Sequence, residues 1–481
     1  MKERIITCAL PESKLLTELS SLTAWIATTD DHATHHFELL ARVVAALDAA
    51  DAPLAERVAL AQKLERWRYQ HLNEHWGAMT PRDETLVDAL DTAARRLAGR
   101  PELPPRQTRH AVADSRWDSP SIQQARTVLD PAYPLDLLVQ RARQLTRQHF
   151  PCSGPAARGS RRADRPGDRH RMFLYAPLYV SSECVNYCLY CGFRYPQDIP
   201  RRHLTVAESV AQARILHQRG FQHLLIVGGD FPRQTTPAYY GEVIRELAAE
   251  GFESSLEIAA QTTEAYGQLV QAGACGLALY QETYDRSRYP EYHTRGPKAS
   301  YAWRLEAHDR AAEAGMPRLG FGILLGLADP RADLLAMLRH AAYLADRFPD
   351  RTLAFSLPRI HQAPAGFQPP FTVSDEELIR CYCALRIAFP RAVLVLSTRE
   401  PAELRNRLAK ICITQMSAGS STAPGGYGSQ EPGRTANAGP VAAGEQFPVC
   451  DQREPFEVAA WLEHEGFDLV WTSLPSGERR A

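Results

Sequence analysis

The chain has 481 residues, 44% hydrophobic and 23% charged, which places it among folded globular proteins with room for more than one domain. Its 55 Lys and Arg nearly cancel 56 Asp and Glu, leaving a formal charge of -1 and no electrostatic case for a nucleic-acid or anionic-membrane partner. No apolar run is long enough to span a bilayer, and the opening MKERIITCALPESKLL is broken at Pro11, unlike a secretory signal.

In chain order, residues 1–110 read as a helical domain of unknown role. HFELLARVVAALDAA (36–50) and VDALDTAARRLAGR (87–100) place Ala and Leu at three- and four-residue spacing. Trp25, Trp67 and Trp76 are read as fillers between those helices. Residues 111–170 form a lead-in, with a helix over 134–150 and a Gly-, Pro- and Arg-rich linker over 153–170.

The pattern changes at Arg171. Apolar runs at 172–180, 223–229, 255–260, 275–280, 319–326, 352–358, 392–398 and 411–417 alternate with amphipathic stretches. In one of these, 205–220, Thr205 and Glu208 have capping-box spacing and Gly220 closes the helix. Further helices are expected over 237–251, 300–315 and 374–389. Eight strand–helix units over 171–430 predict an α/β fold, a (β/α)8 TIM barrel with a helical N-terminal extension, and 431–481 is expected as a helical tail. A doubly wound sheet is the alternative, but no GxGxxG turn follows the first strand.

Ten cysteines in so long a chain make no disulfide framework, and a reducing cytoplasm is the expected setting. Cys184, Cys188 and Cys191 fall together in SSECVNYCLYCGFR, where a barrel carries its chemistry, just past the first strand. Thiolates suit zinc or iron–sulfur alike, but a structural zinc site wants a fourth protein ligand, and no histidine follows until His203. Three thiolates on a 4Fe-4S cluster leave one iron open, which serves catalysis rather than structure.

CxxxCxxC after the first barrel strand, with Phe193 following Gly192, resembles the radical S-adenosylmethionine (radical SAM) enzymes. The likeness extends through APLYVSSECVNYCLYCGFR (176–194), QETY (281–284), YHTRGPKASYAWRLEAHDRAAEAG (292–315), FSLPR (355–359), LSTRE (396–400) and SAGSSTAPGGY (417–427). Together these look like the aromatic amino-acid lyase branch over about residues 134–472. The resemblance implies one 4Fe-4S cluster on the three cysteines, SAM on its open iron, and a radical that breaks Cα–Cβ of a free amino acid. L-tyrosine, giving p-cresol and dehydroglycine (2-iminoacetate), is the leading substrate. Tryptophan or a modified tyrosine in another pathway is the alternative, and a non-catalytic cluster scaffold is disfavoured by the intact motifs. An electron donor such as flavodoxin or ferredoxin is implied, and a downstream biosynthetic protein is a further candidate partner.

The resemblance also assigns residues. Gly228, Gly229 and Asp230 in VGGD stand where the family meets the methionyl amino group, with the acidic position falling on Gly229 or Asp230. Gly192, Phe193 and Ile323 are expected beside adenine, and Glu282, Arg304 and Arg399 in the polar network around SAM. Arg359 is expected to hold the substrate carboxylate, with Ser356 the weaker partner because its spacing departs from the family's. Asp285 replaces the histidine that follows ETY in tyrosine lyases, Arg288 replaces a small hydroxyl residue, and Ser300 a frequent aspartate. An Asp285–Arg288 pair would neutralise itself or recognise a polar substituent. The hydrogenase-maturing relatives carry a second cluster on late cysteines; here Cys450 alone is late, so that activity is not expected.

Overall fold

The computed structural model describes residues 115–152, 170–427 and 444–472, with short helical stretches between 54 and 65 and around 94–99. The helix expected over 36–50, most of 87–100, the three N-terminal tryptophans and the linker over 153–169 lie outside the described residues. The chain divides into two compact units, Met1–Arg109 and His110–Ala481. In the first, Ala61, Leu64, Ala94 and Leu97 are buried, and Arg57 donates to the Arg96 carbonyl at 3.2 Å.

The second unit is built on nine strands: β1 (Arg171–Ser181), β2 (His223–Gly228), β3 (Glu253–Glu257), β4 (Ala274–Ala278), β5 (Arg318–Gly322), β6 (Thr352–Ser356), β7 (Val393–Leu396), β8 (Gln415–Ser417) and β9 (Asp468–Val470). The first eight pair in parallel in sequence order, and β1 pairs with both β2 and β8, so the sheet closes into a barrel. Each of the eight expected strands is present. The last is shorter than expected, because Cys412 and Ile413 donate to Leu408 and finish the preceding helix before β8 begins.

Local signals behave as their chemistry dictates. The helix α3 (Val206–Gln218) starts from Thr205, which accepts from Glu208 N at 3.2 Å while the Glu208 carboxylate accepts from Thr205 N at 2.8 Å. Ser374 and Glu377 repeat the arrangement at the helix over Asp375–Ala388. The single helix expected over 300–315 is two, Tyr301–Leu305 and Ala307–Glu313. Buried Arg310 explains the break: its guanidinium lies 3.5 Å over the Trp303 ring and donates to the Trp303 carbonyl at 2.6 Å. The lead-in helices α1 (Pro120–Val128) and α2 (Leu135–His149) belong to the barrel's outer layer, where Arg380 donates to the carbonyls of Val128, Asp130 and Tyr133.

The tail is more than a helix. After a helix over Pro455–Glu465, β9 pairs with the N-terminal end of β1, matching Arg171 with Asp468 and Phe173 with Val470. The stretch before that helix is held by a buried ion pair between Arg405 and Asp451, which Arg453 joins at 2.6 Å. Among the described residues no helix is long and apolar enough to cross a membrane.

Candidate active site

Period-two alternation along β1 turns Tyr175, Pro177 and Tyr179 into the barrel, and the strand delivers the chain to the mouth at Ser181. The cysteine loop that follows is tied on three sides. Val185 N donates to Asp230 O at 2.8 Å, Leu189 N to Tyr292 O at 3.1 Å, and Gly192 N to Gln446 O at 3.0 Å. Arg201 gathers the loop's own carbonyls, donating to Ser182 at 2.7 Å and to Phe193 at 3.0 Å.

Within it, Cys188 is buried and Cys184 and Cys191 half-buried. Burial pushes all three thiols up to about 11, Asp230 adding to it at Cys184 and Lys298 opposing it at Cys188; each feels at least one of the other two. Such thiols become ligands by giving their protons to a metal centre. Among the described residues no three His, Cys, Asp or Glu side chains converge to hold a single ion. Tetrahedral zinc would need its sulfurs drawn together within about 4 Å, given Zn–S bonds of about 2.3 Å. One buried and two half-buried cysteines on this loop are the thiol donors available to a cluster. Gly229 presses against this loop: a Cβ there would lie 3.0 Å from the Glu183 carbonyl carbon and 3.1 Å from Cys184 Cβ. Gly192 is crowded in the same way by the carbonyls of Glu445 and Gln446.

Beside the loop stands a buried polar network. Asp230 accepts from Asn186 Nδ2 at 3.0 Å, and Asn186 Oδ1 accepts from Lys298 N at 2.9 Å. Burial raises the Asp230 carboxyl, although Asn186, Arg304 and Lys298 oppose it. Glu282, a non-glycine residue with φ of 71°, pairs with Lys298 Nζ at 2.6 Å and Arg304 at 3.6 Å. Arg304 Nε also donates to Tyr280 O at 2.6 Å. Ile323 bridges Glu282 across the strand ends and is wholly buried. Phe193 packs edge-on to Tyr179, at 6.0 Å, in a cluster that includes Val227, Cys184 and Cys191. Gly228 ends β2 against the Tyr240 hydroxyl. Asn186 and Lys298 were missed by sequence reasoning, though both lie inside the quoted motifs CVNYC and RGPKAS.

Inside the mouth is a cavity open to solvent. Tyr179 and Val227 form its wall toward the cysteines, while Ser356, Arg399, Phe447 and Glu257 face it from other elements. The Arg399 guanidinium lies 3.6 Å over the Phe447 ring, and its Nε has no hydrogen-bond partner in the protein. Burial, then Glu282, raises the Glu257 carboxyl to about 7. Sequence reasoning passed over Glu257 as one polar residue in the strand SLEIAA.

Arg359 does not offer a free fork to this cavity. It is buried, and Glu400 accepts from its Nε at 3.0 Å, Asp375 pairs with it at 2.8 Å, and Val373 O accepts from Nη1 at 3.0 Å. Pro358 lines the cavity in its place. Asp285 and Arg288 stand apart from the cavity as well. Asp285 Oδ1 accepts from Ser287 N, Ser287 Oγ and Arg288 N at 2.6–3.2 Å, a turn cap, and Arg288 lies 5.0 Å over Phe371. The pair is loose at 3.7 Å and exposed. Ser300 likewise caps a helix, accepting from Trp303 N at 3.3 Å.

Residues 178–341 match the Radical SAM superfamily and residues 356–468 the Biotin and Thiamin Synthesis associated domain. The chain is 32% identical over 348 residues to 2-iminoacetate synthase of Escherichia coli (strain K12), covering 72% of this chain and 85% of that one. The Salmonella typhimurium 2-iminoacetate synthase is 30% identical over the same length and shares. Among solved structures, the FeFe-hydrogenase maturase HydG from Carboxydothermus hydrogenoformans superposes with a TM-score of 0.63 at 27% identity, covering 87% of this chain and 85% of that one. Membership implies dependence on SAM and a 4Fe-4S cluster, and the buried thiols fit that requirement. The chain therefore belongs to the radical SAM family of enzymes that carry the Biotin and Thiamin Synthesis associated domain, in the group related to 2-iminoacetate synthase and HydG, as a lyase-type enzyme acting on an amino-acid-related substrate.

Proposed function

We propose that the enzyme cleaves the Cα–Cβ bond of a free aromatic amino acid, L-tyrosine first, to p-cresol and dehydroglycine. The observation that carries this is the shared wall. Tyr179 and Val227 pack on the cysteine loop on one side and line the mouth cavity on the other, with an incompletely paired arginine, Arg399, facing it. When bound, the cluster and SAM supply a carbon radical that removes a hydrogen from the substrate.

This chain's residues supply the rest. Cys184, Cys188 and Cys191 would hold the cluster. Asp230, set by Asn186, would accept from the SAM ammonium, next to Gly228 and Gly229, which pack against Tyr240 and the start of the cysteine loop. Glu282, Lys298 and Arg304 form the polar wall near SAM, with Gly192, Phe193 and Ile323 toward adenine. Arg399 presents the fork for the substrate carboxylate, beside Ser356. Arg359 takes that role only by giving up Glu400 and Asp375. Phe447 lines the cavity, and the neighbouring Gln446 accepts from the Tyr179 hydroxyl at 2.6 Å, fixing that wall so that a bound group is held in one position. A flavodoxin or ferredoxin supplies the electron.

A second reading, another aromatic substrate such as tryptophan, draws on Asp285: where tyrosine lyases have histidine, this chain has a turn cap outside the cavity. The two are separated by anaerobic reconstitution with SAM and reductant, each amino acid offered separately. Mass spectrometry should find p-cresol and glyoxylate from tyrosine. Stimulation of 5′-deoxyadenosine by tryptophan but not by tyrosine would overturn the first reading in favour of the second.

A further inference from the structure

Below the mouth cavity the barrel walls surround a second, mostly apolar space. Tyr175, Leu225, Tyr280 and Ser356 belong to the walls of both, so the two are neighbours along the barrel axis. Gly276, Ala278, Gly320 and Ala354 keep the lower walls small and apolar, suited to a flat ring.

Arg318, the first residue of β5, lines this chamber and is 7% exposed. Nη2 donates to Gln415 Oε1. Gln415 Nε2 faces His223 Nδ1 at 3.1 Å, and His223 Nε2 lies 2.9 Å from Ser255 Oγ. Nη1 has no acceptor in the protein. The groups that favour its charge are Cys275, Tyr175 and Tyr280, none of them a carboxylate. His223 adds no second cation, since burial pulls it down to about 3. Buried charges are ordinarily paired. Elsewhere in this barrel Arg405 meets Asp451, and Arg386, also without a carboxylate and with its Nε unpartnered, still donates to the carbonyls of Pro390, Ala392 and Cys412, whereas Arg318 has Gln415 alone.

We propose that the lower chamber receives the substrate's aromatic ring and that Arg318 Nη1 donates to an ionisable oxygen at its far end, a phenol held as phenolate or a carboxylate. This rests on the amino-acid reading above and adds what selects the side chain. A ring without such an oxygen fits the same walls but leaves the guanidinium unpaired, and a site built around a buried polar group rejects the partner that lacks its complement.

The test uses anaerobic holoenzyme without reductant, so that nothing turns over, and p-cresol as a probe of the ring site alone. Phenolate absorbance is titrated against pH for the wild type, Arg318→Met and Gln415→Glu; the last places a carboxylate beside the guanidinium without removing it. In the wild type, bound p-cresol should ionise at least one pH unit below its free value of about 10. The shift should vanish in Arg318→Met and shrink in Gln415→Glu, which carries the test should the methionine variant not fold. 4-Methylbenzoate binding more tightly than p-cresol would mark a carboxylate as the natural occupant, and the reverse a phenolate. Equal ionisation of p-cresol in all three proteins would overturn the inference, even where tyrosine is turned over. An Arg318-dependent shift in an enzyme that ignores tyrosine would leave it standing and remove the tyrosine reading instead.

Discussion

Adding one methyl group at Gly229 should cost this protein its cluster with all three cysteines still in place. Gly229 N donates to Ser181 O at 3.0 Å, which holds the residue flat against the start of the cysteine loop. A Cβ there would sit 3.0 Å from the Glu183 carbonyl carbon and 3.1 Å from Cys184 Cβ, with the Glu183 oxygen closer still. Carbon atoms rest about 3.5–4.0 Å apart, so the loop must retreat by at least about half an ångström. The obstacle is backbone, which no rotamer change relieves, so the cost should reach the upper end of the roughly 1–3 kcal/mol typical of overpacking. The neighbouring Gly228 provides the control. Its Cβ would meet the Tyr240 hydroxyl, the end of a side chain, and truncating that to Phe leaves the ring carbon Cζ 3.2 Å away. Gly229→Ala should therefore bind well under four irons per chain after anaerobic reconstitution and unfold at lower temperature. Gly228→Ala should be impaired less, and Gly228→Ala with Tyr240→Phe should recover. A Gly229→Ala protein with full iron and an unchanged unfolding midpoint would refute the packing of this loop on β2.

Arg399→Ala should raise KM for the amino acid by about 2–5 kcal/mol in binding terms while SAM cleavage without product persists; Arg359→Ala should instead lower the unfolding midpoint, because it leaves buried Glu400 with His361 alone, and an unchanged KM in the first variant would return the carboxylate to Arg359. The Glu257 carboxyl is raised from 4.5 to about 7 when folded, so its contribution to stability is fully present below pH 4.5 and is lost as pH rises to about 7. Glu257→Gln in the cluster-free chain should flatten urea-unfolding midpoints over that window and gain up to about 3 kcal/mol at pH 8; an undiminished slope would refute it. Asp285→Asn keeps an oxygen for the turn and should leave KM unchanged, whereas Asp285→Ala should cost about 1 kcal/mol of stability; a changed KM in the asparagine variant would bring position 285 into the substrate site.

The eight strands, the capping box at Thr205 and the three cysteines were legible because each is written in residues close together in the chain. A short apolar run between amphipathic stretches marks a buried strand, and a hydroxyl three residues before a glutamate starts a helix, whatever lies elsewhere. The cysteine spacing, too, is a local fact, and with the strand before it the loop's place at the barrel mouth followed. The charges were different. Arg359 was read from its position after β6, yet its nearest carboxylate, Glu400, lies 41 residues on, beyond β7. Which arginine is paired and which faces the cavity depends on which strand ends become neighbours when the sheet closes. Lys298 and Glu282, Asn186 and Asp230, and Arg318 and Gln415 are joined in the same way, across 16, 44 and 97 residues. Even the tail's strand β9 exists only because β1 offers it an edge nearly 300 positions earlier in the chain. A local pattern specifies an element because its energy is summed over neighbours in sequence. A buried charge has no preferred state until the folded barrel supplies or withholds its partner, and that was decided by tertiary structure alone.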